Sequence, residues 1–322
     1  MSETDSFQPL VSIVMTAYKT PIEYFQKALE SAINQTWKNI EIIISDDSPE
    51  PLLQAIVGKY EDERIRYRHN SPALGPADNH WTCFQDANSD YVAVLHHDDF
   101  WDPSFVDRLM RPLLNDSTIS VAFCDHWIVD AQGARSAYET EQNSLIWGRS
   151  QLNEGKHERW IDLVACQAIP MVMGAIFLKK LLPKKLPNHV GPAYDFWMTY
   201  WLCQEGYAAY YVEDRLSNYR IHPDNLSGQR GVGLSRGVAE CWKVISKDAR
   251  FDTVHSIARK QAAVQFIASA RNSWLAGRRY DCSYFGWQSF KIHPTLKGIA
   301  ATFLLPLLPH RLKLFQSSSS TI

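Results

Sequence analysis

Residues 91–103, YVAVLHHDDFWDP, run from a short apolar segment into two histidines and then two adjacent carboxylates, Asp98 and Asp99. An apolar run of this length bounded by polar residues reads as a buried strand, here Tyr91 to Leu95. The stretch 40–48, IEIIISDDS, has the same form, a strand over Ile40 to Ser45 opening onto Asp46-Asp47. VSIVMT, residues 11–16, is a third such run. Between the first two runs in the chain, Pro21 to Asn34 places Ile22, Phe25, Leu29, Ala32 and Ile33 at helical spacing. Thr20 is positioned to cap that helix, Pro21 suits its first turn, and Glu23 completes a capping box. A helix over Leu52 to Tyr60, a strand over Arg64 to Arg68, a Gly75-Pro76 turn and a helix over Ala77 to Ala87 follow. After Asp102-Pro103 a helix carries Phe105, Val106, Leu109, Met110, Leu113 and Leu114, and Ser120 to Cys124 reads as one more strand. Strands alternating with helices predict an α/β layer around a mostly parallel sheet, and such sheets bind ligands at the carboxyl ends of their strands. Both Asp-Asp pairs fall on that edge.

The whole chain has 322 residues, about two domains at roughly 150 residues each. Lys plus Arg is 33 against 35 Asp plus Glu, a net charge of −2 that gives no reason to expect nucleic acid as a partner. Six cysteines stand apart with no CxxC pair, which excludes a zinc ribbon or thioredoxin motif and suits reduced thiols in a cytoplasmic protein. Met1 to Pro9 is polar and acidic, unlike a secretory signal. The longest apolar stretch, Ile299 to Pro309, is too short to span a bilayer and is interrupted by Pro306.

Carboxylates gathered on one edge repel one another unless something cationic or hydrogen-bonding engages them. A divalent cation holding a phosphorylated ligand does this, since Mg²⁺ and Mn²⁺ favour carboxylate and phosphate oxygens. The plainer alternative is that each Asp caps the turn or helix after its strand. That is the default for Asp102 and a serious one for Asp46. The dinucleotide and P-loop fingerprints are missing, and the stretch Gly228 to Gly233 has the wrong glycine order for either. His96-His97 beside two Asp suggests a metallohydrolase, but no second paired-histidine motif accompanies it.

Taken together, VSIVMTAYKT, ALESAINQTWKNIEIIISDDS and VAVLHHDDFWDP resemble, in order and spacing, the family 2 glycosyltransferases with the GT-A fold. The resemblance covers about residues 10–228 and implies a Rossmann-like nucleotide-diphospho-sugar transferase fold. It identifies His97-Asp98-Asp99 as a variant of that family's DXD signature. By the same resemblance, Thr16, Ala17 and Tyr18 line the nucleotide base pocket and Asp47 accepts a hydrogen bond from the base. Asp98 approaches the ribose or the metal, and Asp99 binds a Mn²⁺ or Mg²⁺ ion bridging the diphosphate. IPMVMGAIFL, residues 169–178, is similar to the strand lining the acceptor cleft. In AYDFW, residues 193–197, the family usually has Glu-Asp with the Asp as catalytic base; Tyr194 replaces the Glu and Asp195 remains. NYRIHPDNLS, residues 218–227, looks like a family segment whose histidine, here His222, joins the metal site. Arg220 either neutralises diphosphate charge or pairs with a nearby acid.

One apparent base implies a single displacement with inversion. The implied enzyme is a metal-dependent inverting transferase moving a sugar from a nucleotide-sugar donor, UDP favoured, to a hydroxyl of a saccharide or lipid-linked acceptor. A nucleotidyltransferase of similar fold and a non-catalytic nucleotide-sugar-binding scaffold are the alternatives. Residues 1–228 form the expected catalytic domain and 229–322 a helical extension. From Arg271 onward the chain is basic, with Asp281 as its single acid. The apolar segment 299–305 lies between Lys297 and the Arg311/Lys313 pair. Basic flanks on a short apolar helix suit an anionic membrane surface, giving a cytoplasmic protein peripheral on the inner face of the membrane. The competing reading packs this helix on the globular core.

Overall fold

The computed structural model describes residues 8–222 and 231–309. Strand β1 (Val11–Ala17) is buried along its whole length, as is β2 (Ile40–Asp46), and α1 (Ile22–Ile33) connects them. A parallel pair needs such a crossover. Buried Phe25, Ala28, Leu29 and Ala32 of α1 join the central hydrophobic core. The expected capping box at this helix does not form. The helix starts at Ile22 with Pro21 at the cap position, so Thr20 lies outside the cap and its buried Oγ1 has no hydrogen-bond partner among the described residues.

Helices α2 (Leu52–Val57) and α3 (Pro76–Asp86) flank β3 (Ile65–His69), and β4 (Tyr91–Val94) follows. Strands β3, β2, β1 and β4 lie side by side, all parallel. Register aligns Ala17 with Asp46 and Val14 with Val94, so the segments after β1, β2 and β4 emerge together on one edge. A two-residue strand, β5 (Phe100–Trp101), precedes α4 (Phe105–Asn115), whose Phe105, Val106, Leu109, Met110 and Leu113 are buried.

The rest of the sheet is a second parallel pair turned into place by one antiparallel strand. Strand β6 (Ile119–Val129) runs well past the expected Cys124, and short β7 (Arg135–Ser136) folds back onto its end before α5 (Ala137–Ile146). Strand β8 (Gly155–His157), α6 (Ile161–Cys166) and β9 (Ala175–Leu178) come next. Only the last four residues of the expected 169–178 strand are extended, because Met173 and Gly174 donate back to the Pro170 carbonyl in a turn. Strand β9 is antiparallel to both β4 and β6. Helix α7 (Tyr194–Leu202) leads into β10 (Ala208–Arg220), which runs parallel to β6 and pairs antiparallel with β5 at Ser217 and Asn218. The end of β10 thereby reaches the turn after β4, carrying Arg220 to the Asp98-Asp99 pair.

Two compact units result, Met1–Pro187 with Tyr194–Asn225, and Asn188–Ala193 with Leu226–Ile322. Among its described residues the second unit contains α8 (Val232–Ile245), α9 (His255–Leu275), α10 (Arg279–Ile292) and α11 (Leu296–Phe303). Residues 223–227 of the histidine segment, residues 228–230 of the Gly228 to Gly233 stretch, and Arg311 and Lys313 lie outside the described residues. None of the described helices is long and apolar enough to cross a membrane.

Candidate active site

The two Asp-Asp pairs meet different surroundings. Asp47 is 4% exposed, and its carboxylate accepts from Asn70 Nδ2 at 2.8 Å, the Leu74 amide at 3.1 Å and the Gly75 amide at 2.8 Å. Gly75 has φ +85°, a conformation side chains rarely adopt, and it turns its N–H onto Asp47 at the start of α3. Asp46 is fully buried and accepts from the Ser48 amide and the Tyr67 hydroxyl. The expected base contact, Asp47, therefore already braces the loop from Asn70 to Gly75.

Asp99 is 0% exposed and has half its needs met. Its Oδ1 accepts the Arg220 amide at 2.8 Å, while Oδ2 is buried with no hydrogen-bond partner among the described residues. Burial, and next the neighbouring Asp98, lift the Asp99 carboxyl well above its ordinary pKa. Asp98 moves the other way: His97 and His96, together with a hydrogen bond from His222, outweigh burial and hold it below the usual range. A ligand atom from each of His96, Asp98 and Asp99 lies within 4.8 Å of the others. A buried carboxylate oxygen left unpaired beside a second carboxylate and an imidazole fits a divalent cation in both charge and donor chemistry.

His222 Nε2 lies 3.1 Å from Asp98 Oδ2, so it reaches the cluster through Asp98. Arg220 is held among backbone carbonyls. Its guanidinium donates to the carbonyls of Asp98, Asp130 and Ala131 and lies 4.3 Å over the Tyr24 ring, with the residue 3% exposed. Through its Nε and Nη1 donors it ties the turn that carries Asp98 to the 130–131 segment.

Asp195 sits in the first turn of α7 and accepts the Phe196 amide at 2.8 Å. Burial raises its pKa, against the pull of that amide and of His96. Next to it, Tyr194 belongs to a group that sequence reasoning missed. The hydroxyl of Tyr194 is 3.3 Å from His80 Nε2 and 3.5 Å from His96 Nε2, and Thr16 Oγ1 is 3.0 Å from the same His80 nitrogen. His80 Nδ1 is 2.7 Å from the Pro76 carbonyl, which only accepts, so Nδ1 carries the proton and Nε2 receives the hydroxyls. Burial, and then the charge on His96, push His80 down to about 3, keeping it neutral. Thr16 and Ala17 are buried at the end of β1, whereas Tyr18 is 49% exposed and offers an open ring face. The missed signal was the helical placement of His80 after the Gly75-Pro76 turn, which aims it back at β1.

Residues 12–171 match the model of the family described as "Glycosyl transferase family 2". The chain belongs to this family. Similar curated proteins include the uncharacterized glycosyltransferase MJ1057 of Methanocaldococcus jannaschii, 27% identical over 218 residues, or 66% of this chain and 71% of that protein. Another is UDP-Glc:alpha-D-GlcNAc-diphosphoundecaprenol beta-1,3-glucosyltransferase WfaP of Escherichia coli, 39% identical over 92 residues. That match covers 29% of this chain and 36% of WfaP, so the family 2 chain spans well under half of that relative's length. Among solved structures, S. aureus TarS 1-349 with UDP-GlcNAc superposes with a TM-score of 0.60 at 13% identity, covering 91% of this chain and 89% of TarS 1-349. The mannosyltransferase PcManGT of Pyrobaculum calidifontis, solved with GDP-Man and Mn2+, gives 0.56 at 15% identity, covering 92% and 86%. At these identities the superpositions establish the fold, which is GT-A.

Proposed function

We propose that this family 2 chain is a metal-dependent inverting glycosyltransferase. It moves a sugar from a nucleotide-sugar donor, with UDP as the nucleotide, to a hydroxyl of a saccharide or lipid-linked acceptor. The observation that carries this reading is the buried Asp99 Oδ2, without a hydrogen-bond partner among the described residues, within the His96, Asp98 and Asp99 cluster. Asp98, Asp99 and His96 would hold Mn²⁺ or Mg²⁺, with His222 fixing Asp98 from behind. When bound, the cation stabilises the negative charge that grows on the departing nucleoside diphosphate.

The chain's own groups supply the rest. Tyr18 presents an aromatic face for the nucleotide base at the end of β1. Asp47 holds the Asn70 to Gly75 loop against the same edge, so its contribution to base binding runs through that loop. Asp195 takes the proton from the acceptor hydroxyl as its oxygen attacks the anomeric carbon. Burial favours this role, since lifting a carboxylate pKa toward neutrality strengthens it as a base. With one such carboxylate, the displacement occurs once and inverts the anomeric centre. A UDP donor finds support in the names of WfaP and of the TarS complex, and the GDP-Man complex of PcManGT makes the base worth testing directly.

Calorimetric titration of UDP and GDP into the chain, with and without Mn²⁺, tests the reading. UDP is expected to bind at least about tenfold more tightly with Mn²⁺, and Asp99→Asn to abolish that gain while leaving the fold intact. Unchanged Mn²⁺ dependence in Asp99→Asn would remove the metal assignment.

A further inference from the structure

Helix α11 is arranged opposite to a helix that serves only as packing. Its buried residues are small or polar, Gly298, Ala301 and Thr302, while its large apolar residues face outward. Leu296 is 84% exposed, Phe303 60% and Leu307, in the turn that follows, 75%, with Ile299 and Leu304 also exposed. Leu296, Ile299 and Phe303 recur at spacings that place them along one side of α11, and exposed Leu307 follows in the turn after it. The inward face is small because the backbones of α10 and α11 approach closely. A Cβ on Gly286 of α10 would lie 2.5 Å from the Thr302 amide, and one on Gly298 would lie 3.2 Å from the Phe290 backbone. No bulky side chain fits there, so the close crossing turns the leucines and the phenylalanine out. Single exposed leucines are ordinary, but a row of them on one element marks a contact surface.

The charge beside this row selects the partner. From Cys282 to the end of the sequence there is no Asp or Glu, while Lys291 and Lys297 flank the apolar face and Arg311 and Lys313 follow in the sequence. Exposed Trp287 on α10 lies beneath the Lys291 ammonium, 6.0 Å from its ring centroid. Large apolar groups edged by an indole and by cations without acids complement lipid chains under anionic headgroups; a second copy of this cationic face would repel it. We infer that the α11 face, Leu296, Ile299, Phe303, Leu304 and Leu307 with Lys291 and Lys297, docks the protein on an anionic lipid surface. The helix lies in the plane of that surface, being far too short to cross it.

Cosedimentation of the full chain with vesicles tests this, comparing phosphatidylcholine alone with phosphatidylcholine holding about a quarter phosphatidylglycerol. The full chain should pellet with the anionic vesicles. The combined change Leu296→Asp, Phe303→Asp and Leu307→Asp should weaken partition at least about tenfold. Lys291→Gln and Lys297→Gln should each weaken it about fivefold at low salt. The altered side chains are exposed, so melting temperatures should stay close to the parent's and separate lost docking from lost folding. Equal pelleting of the parent and the triple-Asp chain, or equal binding to neutral and anionic vesicles, would overturn the inference. So would a parent that ignores vesicles, whether it sediments as a dimer that the Asp changes dissociate or as a monomer whose apolar row is covered by the chain itself. Sugar transfer to a soluble acceptor should be unaffected by these changes, which keeps this test apart from that of the catalytic residues.

Discussion

Asp47 and Asp99 are each the second carboxylate of an Asp-Asp pair on the same sheet edge, and they differ in what answers them. Asp47 receives three donors from a loop fewer than thirty positions along the chain, and that loop is shaped by Gly75 to supply two of them. Asp99 receives one, from Arg220, and only because β10 returns beside β5. A carboxylate with both oxygens engaged stabilises a loop; one buried with an open oxygen is costly unless a cation engages it. The same dipeptide is thus a brace in one place and, in the function proposed above, a ligand set in the other.

Asp195 extends this contrast to a third carboxylate and carries the largest expected effect. Asp195→Asn keeps the side-chain oxygen for the Phe196 amide but cannot take a proton. We expect kcat to fall about 10²- to 10⁴-fold while donor affinity and its Mn²⁺ dependence persist. Full transfer activity in that variant, measured by nucleoside diphosphate release with acceptor present, would move the base elsewhere.

The brace and the ligand separate next. In Asp47→Asn an NH₂ group replaces one acceptor and meets N–H donors, so stability should fall by about 1–3 kcal/mol, read by urea denaturation. In Asp99→Asn the remaining oxygen still accepts the Arg220 amide and the like-charge contact with Asp98 disappears, so metal-free stability should hold or rise. A larger stability loss at Asp99 than at Asp47 would reverse the comparison.

This distinction marks how far the sequence could be read. The alternation from Val11 to Cys124 placed both pairs on one edge, because apolar runs and helix spacing are local signals. It could not show that Asp47 is satisfied, since that depends on the path of the loop through Asn70 and Gly75. Nor could it show β9 turning antiparallel between β4 and β6, since nothing in AIFL encodes direction. The charge of Arg220 pointed to a diphosphate or an acid, and could not foretell the carbonyls of Asp98, Asp130 and Ala131 that its guanidinium joins. The resemblance marked Tyr194 as a departure; His80, its partner, lay in a helix with no motif to single it out. In α11, composition raised both a membrane face and a packing face, and the structure gives the helix a buried side of small residues and an exposed apolar side.

The Tyr194 group tests the comparison at its finest grain, because it adjoins the ligand set without being charged. Tyr194→Phe keeps the ring that lies 4.6 Å from the His80 imidazole and removes the hydroxyl shared by His80 and His96. His80 Nε2 retains Thr16, so the net loss should be about 0.5–1.5 kcal/mol, with kcat lowered by less than about tenfold. Donor affinity with Mn²⁺ should change by no more than about threefold, since the hydroxyl reaches the ligand set only through a long 3.5 Å contact with His96 Nε2. Tyr194→Glu, which restores the family's usual residue, should do more damage. It would place a second carboxylate beside Asp195 at a position 6% exposed, where burial and the Asp195 charge already raise the tyrosine pKa. A glutamate there that raised both melting temperature and kcat would show that this edge accommodates a further unanswered carboxylate. The contrast between a satisfied pair and an open one would then lose its force.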